Sequence, residues 1–231
     1  MTTLFNDNWH FAEFPLDYNS MYKDNKPVLY SPKDYYDTVN TLIYKPVRIP
    51  HDWMIWHVKD LYKNSIGSYK KEFFLEETLN RHIAIRFEGV YMNCAIWVNN
   101  KMVGGWKYGY GTFEFDISDF VTKGKNSIQV IAIYQHCNTR WYSGAGIFRD
   151  VYLINTEKSF LTPDGTYFVS RIKDKDENST LLNGTWACKF STEVCSPDGN
   201  VFVRTKITDK ENKIIYQSPE DLKPTRISQE E

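Results

Sequence analysis

The sequence predicts an all-β chain, with a jelly-roll β-sandwich over residues 1–157 followed by a second, partial β-sandwich over residues 158–231. Three observations lead there. Apolar residues alternate with period two, as in Ile83, Ile85 and Phe87 against Ala84, Arg86 and Glu88, and in Phe113, Phe115 and Ile117 against Glu114, Asp116 and Ser118; this is the pattern of half-buried strands. Aromatic side chains, which favour pleated surfaces, are abundant, with 14 Phe, 16 Tyr and 7 Trp in 231 residues. Turn signals separate the runs at intervals of about 10 residues, the spacing of a sandwich. No apolar stripe of period 3.6 is sustained.

Along the chain, Trp9-His10-Phe11 opens the first strand pattern. Residues 17–41 break it with Asp17, Asn19, Lys23, Asp24, Pro27, Pro32, Asp34 and Asp37 and few aliphatics, so a long surface loop or insertion is expected there. Ala95-Ile96-Trp97-Val98 and Ile128 to Ile133 are nearly continuous apolar runs, as expected of strands covered on both faces. Asn99-Asn100-Lys101 can turn a hairpin, and Lys123-Gly124-Lys125-Asn126 offers a similar turn. After Lys158 the runs shorten to Tyr167–Val169, Thr185–Phe190, Val201–Ile207 and Ile214–Tyr216, with a turn at Pro197-Asp198-Gly199-Asn200. These fall short of the roughly seven strands of an immunoglobulin-like sandwich, and the last residues, Ser228-Gln229-Glu230-Glu231, are polar. The second sandwich therefore reads as truncated.

Composition removes several classes of function. A net charge of −1, from 28 basic and 29 acidic residues, supplies no field to hold nucleic acid or an anionic membrane. The start lacks a basic segment followed by an apolar run, and no stretch approaches the ~20 apolar residues of a membrane span, so a cytoplasmic location is expected. Cys94, Cys137, Cys188 and Cys195 form no C-x-x-C pair and are expected as reduced thiols. The five histidines show no metal-binding spacing. Gly104-Gly105 and Gly144-x-Gly146 lack the strand-to-helix context of a phosphate loop. Neither a metal nor a cofactor is expected.

The segment most able to carry function is Thr139 to Asp150, T-R-W-Y-S-G-A-G-I-F-R-D. Small residues from Ser143 to Gly146 let backbone approach another surface, while Arg140, Trp141 and Tyr142 offer a cation and two flat rings. Such groups bind sugars, the rings on the apolar face of a pyranose and the polar groups on its hydroxyls. The same residues equally suit a structural role, with Trp141 and Tyr142 in the core and Arg140 paired to a carboxylate. Asp52 likewise reads either as a ligand contact or as a turn-former before Trp53, and His51 as a cap beside Pro50.

These segments resemble glycoside hydrolase family 2. The resemblance runs in order through Trp9-His10-Phe11, Pro50-His51-Asp52-Trp53, Gly67-Ser68-Tyr69-Lys70-Lys71-Glu72-Phe73, Phe87-Glu88-Gly89-Val90-Tyr91, Ala95 to Asn100 and Gly109 to Phe113, and it ends at Arg140 to Asp150. It implies an N-terminal sugar-binding jelly-roll of galactose-binding-like type, then an immunoglobulin-like domain and a catalytic barrel. Its implied sugar contacts are Asp52 and Arg140, with Trp141 and Tyr142 alongside. Both catalytic carboxyl groups of a retaining glycosidase would lie on that barrel, so no catalytic residue is assigned in this chain; Glu76-Glu77 and Asp174 to Glu177 read as solvated turns. The family's glucuronidases carry N-Y-A-G where this chain has Tyr142 to Gly146, which favours a β-galactosidase-like branch, although some relatives have an acidic residue near the position of Arg140. The implied role is to position a terminal sugar for hydrolysis by the barrel. One alternative is a free-standing carbohydrate-binding module using Trp106, Tyr110, Trp141 and Tyr142. Another is an assembly domain that buttresses a homo-oligomer.

Overall fold

Alternation along the two longest strands of the first unit decides its layers. Successive side chains of a strand point to opposite faces, so Tyr69, Val130 and Ile96 share one face of a sheet while Lys70, Gln129 and Trp97 share the other. The computed structural model describes residues 1–16, 30–57, 59, 63–135, 144–173, 185–197, 199–218, 222–224 and 226, with the backbone alone of 22–23, 26–27 and 227–228. It divides into two units, Met1–Thr156 and Glu157–Glu231.

The strands of the first unit are β1 (Thr2–Leu4), β2 (Trp9–Pro15), β3 (Tyr22–Lys23), β4 (Lys26–Pro27), β5 (Lys45–Val47), β6 (Ser65–Leu75), β7 (Arg81–Phe87), β8 (Val90–Tyr91), β9 (Cys94–Val98), β10 (Lys101–Trp106), β11 (Phe113–Asp116), β12 (Gly124–Tyr134), β13 (Gly146–Ile147) and β14 (Val151–Glu157). A six-stranded sheet runs β10-β9-β12-β6-β2-β5 and a four-stranded sheet runs β1-β14-β7-β11. Every pair of the larger sheet, and the β1–β14 and β7–β11 pairs of the smaller one, are antiparallel, which makes the unit the all-β sandwich that the sequence predicts.

The main core fills the space between these sheets with Trp9, Tyr69, Ile96, Ile128 and Val130 from one and Ile83, Ile85, Phe87, Phe113 and Val151 from the other. Trp9 is fully buried, and its indole N–H donates to the Phe5 carbonyl at 2.7 Å. Lys71 also turns inward. Its ammonium donates to the same carbonyl at 2.8 Å and lies 3.4 Å from the Phe5 ring centre, and burial, only partly opposed by Asp7, brings its pKa down to about 8.

The other face of the six-stranded sheet is covered too. Tyr30 and Val39 pack with Ile66, Ala95, Trp97, Ile131 and Ile133 in a second core. The covering chain is a 3-10 turn (Pro32–Tyr35) followed by a short helix (Tyr36–Asn40). This corrects the expectation of a surface loop for the part of 17–41 that the structure describes. Few aliphatics are present because Tyr30, Tyr35, Tyr36 and Val39 supply the apolar contact. The double cover also explains why Cys94–Val98 is buried at every position, as its unbroken apolar run predicts.

The hairpin at Asn99-Asn100 forms with both residues at positive φ, 48° and 64°, a conformation that asparagine tolerates. Cys94, Cys188 and Cys195 are free thiols, whereas Cys137 lies outside the described residues. No helix of the described residues is long and apolar enough to cross a membrane.

In the second unit, β15 (Phe160–Ile172) and β16 (Trp186–Cys195) pair antiparallel, and β19 (Arg226–Ser228) pairs parallel to β16. A small hairpin joins β17 (Lys206–Thr208) and β18 (Ile214–Gln217). The strand expected over Val201–Ile207 is realised only from Lys206; the preceding stretch makes one bridge, Val203 to Leu222. Alternation marks a chain able to form a strand but does not supply the neighbour that pairs with it.

Asp116 and His82 tie β11 to β7. The Asp116 carboxylate lies 3.1 Å from His82 Nδ1 and accepts from Ser118 N–H at 2.7 Å. Burial raises its pKa, but the His82 and Ser118 bonds outweigh burial and bring it from 3.8 to about 2. The depressed value means that this carboxylate stabilises the fold above pH 3.8 and ceases to do so as pH falls through about 2. The gap in urea midpoint between the parent and Asp116→Asn should therefore be widest above pH about 4.5 and should close towards pH 2; a gap independent of pH over that range would contradict the assignment.

Candidate functional site

The Pro50-His51-Asp52-Trp53 segment and the Gly144-Ala145-Gly146-Ile147 segment, remote in sequence, are paired through their backbones. His51 N–H donates to the Ile147 carbonyl at 2.8 Å and Trp53 N–H to the Ala145 carbonyl at 3.0 Å. Ile147 and Gly146 in turn pair with Val90 and Tyr91, so the three segments meet at one end of the sandwich.

Asp52 is the side chain that joins the first two. Its Oδ1 accepts from Met54 N–H at 3.0 Å, capping the 3-10 turn Trp53–Trp56, and also from Ala145 N–H at 2.9 Å. Asp at such an N-cap satisfies a donor that the turn cannot. The turn-forming role open in the sequence is thus real, and the carboxylate is also oriented by two donors from different segments. Its Oδ2 lies 2.9 Å from where a Cβ on Gly144 would sit, and Gly144 has φ +72°.

Gly146 permits the close approach. At φ +122° an added Cβ would fall 2.4 Å from the Tyr69 hydroxyl and 2.5 Å from the His51 carbonyl oxygen, closer than any side chain can come. Tyr69, on β6, is fully buried, and burial raises its hydroxyl well above 10 against a weaker opposing bond from the Ile147 backbone. It therefore stays protonated. His51 Nδ1 lies 2.8 Å from that hydroxyl, and burial lowers the imidazole below its ordinary value, with Asp52 opposing. A neutral ring accepting at Nδ1 carries its proton on Nε2.

Aromatic packing supports the turn from below. Phe11 stacks on Trp53 at 5.4 Å between centroids and 28° between planes, and it lies 4.8 Å from both His51 and Tyr69. The Trp53 indole donates to Ser65 Oγ at 2.9 Å. Sequence reasoning singled out Asp52 but missed Phe11, Ser65 and Tyr69 as the residues that hold it. Phe11 and Tyr69 signalled only through membership of the Trp9-His10-Phe11 and Gly67 to Phe73 motifs, which carries no information on partners, and Ser65 lies in neither.

Arg140, Trp141 and Tyr142 lie outside the described residues. Trp106 and Tyr110 are described: Trp106 stacks on Phe113 at 5.4 Å and 22°, while Tyr110 packs edge-on to Tyr91 at 5.3 Å and to Phe148 at 6.1 Å. Through Tyr91, the pairing partner of Gly146, Tyr110 reaches the same end of the sandwich as Asp52. Among the described residues no group of three or more His, Cys, Asp or Glu side chains converges to hold a metal ion.

Residues 4–157 match the family described as glycosyl hydrolases family 2, sugar binding domain. A β-galactosidase of Clostridium acetobutylicum is 35% identical over 182 residues, covering 72% of this chain and 20% of that protein. A β-glucuronidase of Bacteroides fragilis is 29% identical over 189 residues, covering 74% and 26% respectively. The crystal structure of a glycosyl hydrolase family 2 member from Bacteroides cellulosilyticus matches with a TM-score of 0.67 at 25% identity, covering 94% of this chain and 28% of that one. The chain spans 22%, 21% and 26% of the length of three of the curated relatives it matches.

The contact at Gly146 sets an expected ranking of substitutions. Gly146→Ala meets both a positive φ and occupied space and should cost more than about 2 kcal/mol. Gly124→Ala, at φ +99° with nothing within 4 Å, should cost only about 1 kcal/mol. Urea unfolding of the two variants checks this, and equal losses would refute the packing argument.

Proposed function

The chain belongs to glycosyl hydrolase family 2, whose sugar binding domain it carries over residues 4–157, and from that premise we propose that it is the N-terminal, carbohydrate-binding portion of a β-galactosidase-like glycosidase. Residues 1–157 are the sugar-binding jelly-roll, and residues 158–231 begin an immunoglobulin-like sandwich. Hydrolysis of the O-glycosidic bond belongs to two carboxyl groups of a barrel outside this chain. The domain's part is to orient the terminal sugar for that chemistry, because binding energy used to fix geometry lowers the barrier that remains.

The observation that carries this reading is the Asp52 carboxylate, held in one orientation by Met54 and Ala145 N–H groups. Two backbone donors on Oδ1 fix the direction of the carboxylate, and a carboxylate is a strong acceptor for the hydroxyls of a sugar. Arg140, Trp141 and Tyr142 directly precede Ser143 and Gly144 in the chain, and we assign them to the same sugar. Relatives carry both galactosidase and glucuronidase names; the wording of Tyr142 to Gly146 favours the galactosidase-like branch.

Asparagine at position 52 keeps an acceptor oxygen for both backbone donors while the charge is lost and the other carboxylate oxygen becomes a donating NH2, so it separates cap from ligand. In the full-length enzyme that carries this domain, Asp52→Asn should lower kcat/KM on p-nitrophenyl β-galactoside by about tenfold or more, as expected for loss of a charged hydrogen bond, with the thermal midpoint unchanged. Unaltered kcat/KM in Asp52→Asn, with destabilisation of about 1 kcal/mol in Asp52→Ala, would leave Asp52 a cap only and defeat the reading.

A further inference from the structure

The outer face of the six-stranded sheet holds a groove that the Asp52 site does not use. Its floor is a row in register across four strands: His10 of β2, Lys70 of β6, Gln129 of β12 and Trp97 of β9. Tyr69 immediately precedes Lys70, and adjacent residues of a strand point to opposite faces. The groove therefore lies across the sheet from the Tyr69 hydroxyl and the turn that packs on it. The covering helix ends at Asn40, and Asn40 and Tyr44 form the wall beside a cavity of about 560 Å³.

The groove is built rather than merely left over. Gln129 is buried, and its amide donates to Ser68 Oγ at 3.1 Å; Tyr44 donates to the same oxygen at 2.8 Å. Lys70 Nζ stands 4.3 Å above the Tyr44 ring. Trp97 is clamped by Tyr36 at 4.9 Å, and the Tyr36 hydroxyl donates to Asn100 Oδ1 at 3.2 Å. These contacts hold the polar floor in one arrangement before any ligand arrives, which lowers the cost of binding.

The chemistry of the lining selects a ligand class. Asn8, Asn40, Asn100 and Gln129 present amides, each both donor and acceptor, and Ser127 adds a hydroxyl. Lys70 and Glu72 bring charges of both signs to the lining, while the ammonium of Lys71, which also borders the groove, is turned inward to the Phe5 carbonyl. The half-exposed ring of Tyr44 supplies apolar surface beside these groups, with the buried Trp97 contributing to the floor. A neutral polyhydroxylated ring matches this mixture, since its hydroxyls pair with amides and its C–H faces with aromatic surface. The volume falls in the ordinary range of about 300–1,000 Å³ for small-molecule sites and accommodates two sugar rings.

We propose that this groove is a second carbohydrate-binding site, for a neutral disaccharide, on the face of the six-stranded sheet opposite the Asp52 turn. It binds independently of Asp52, so a glycan held there is tethered to the domain while the Asp52 end engages a terminal sugar.

Titration of the ¹⁵N-labelled 231-residue chain with lactose, followed by NMR, tests this site by site. Saturable shifts are expected at the side-chain amides of Asn40, Asn100 and Gln129, with millimolar affinity. Ser127→Trp fills the groove from its half-exposed rim and should weaken those shifts about tenfold; His10→Ala with Asn100→Gly, both at exposed positions and with glycine accepting the positive φ of residue 100, should weaken them as well and serves if the tryptophan disturbs folding. Asp52→Asn should leave them unchanged. Groove amides that do not move up to the solubility limit of lactose, or that move equally in the groove variants, would overturn the proposal. Shifts lost in Asp52→Asn but kept in Ser127→Trp would overturn it too, while leaving the Asp52 reading intact.

Discussion

The absence of a side chain at Gly146 is the constraint on which the end of the sandwich depends. Backbone from Ala145 to Ile147 can lie against the turn at His51 to Trp53 only because nothing projects from residue 146 towards the Tyr69 hydroxyl and the His51 carbonyl. With that approach secured, one carboxylate oxygen of Asp52 reaches donors in both segments. The small residues of the Gly144 to Gly146 run are thus explained by geometry before any ligand is considered. A functional role for Asp52 is built on the same geometry, because an oriented carboxylate is also a better ligand contact.

Tyr69 and Lys70 illustrate how one strand serves two purposes. The tyrosine is sealed in the main core beneath the Asp52 turn, and its neighbour faces the opposite side of the sheet, over Tyr44. Ser65 to Gly67 of the same strand likewise divides its contacts, Ser65 towards the Trp53 indole and Ile66 into the second core. A sheet covered on both faces cannot shift register by one residue without moving every such group to the wrong layer. The rigid β6–β12 pairing is therefore what keeps the turn and the groove in constant relation.

Much of this was legible in the chain. Unbroken apolar character at Ala95 to Val98 announced a strand with two covered faces, and Asn99-Asn100 announced a hairpin because few other residues accept positive φ twice in succession. Pro50-His51-Asp52-Trp53 stood out as a motif, and its neighbour in space, Gly144 to Gly146, stood out as another. Their contact did not. Nor did the covering layer from Tyr30 to Asn40, whose tyrosines and single buried valine lack the aliphatic periodicity by which a core-facing helix is recognised. The groove was equally hidden, since His10, Lys70, Gln129 and Trp97 belong to four strands and share no local pattern. At Val201 to Thr205 the error ran the other way: alternation suggested a strand, and among the described residues no long partner strand lies beside it.

The sequence by itself determined the all-β class, several strands of the first unit with the Asn99-Asn100 turn, and the family, whereas Lys123 to Asn126, read as a turn between paired strands, runs into β12 from Gly124. Each of these follows from neighbours along the chain, through pleat alternation, backbone preference at asparagine and glycine, or ordered motifs. Only the tertiary structure decided that Asp52 closes onto Ala145, that Tyr69 holds His51 from beneath, and that a polar groove lies across the sheet. These depend on strand order and register, which bring together residues separated by dozens of positions, and such pairings are set by the packing of whole layers rather than by any local run of residues.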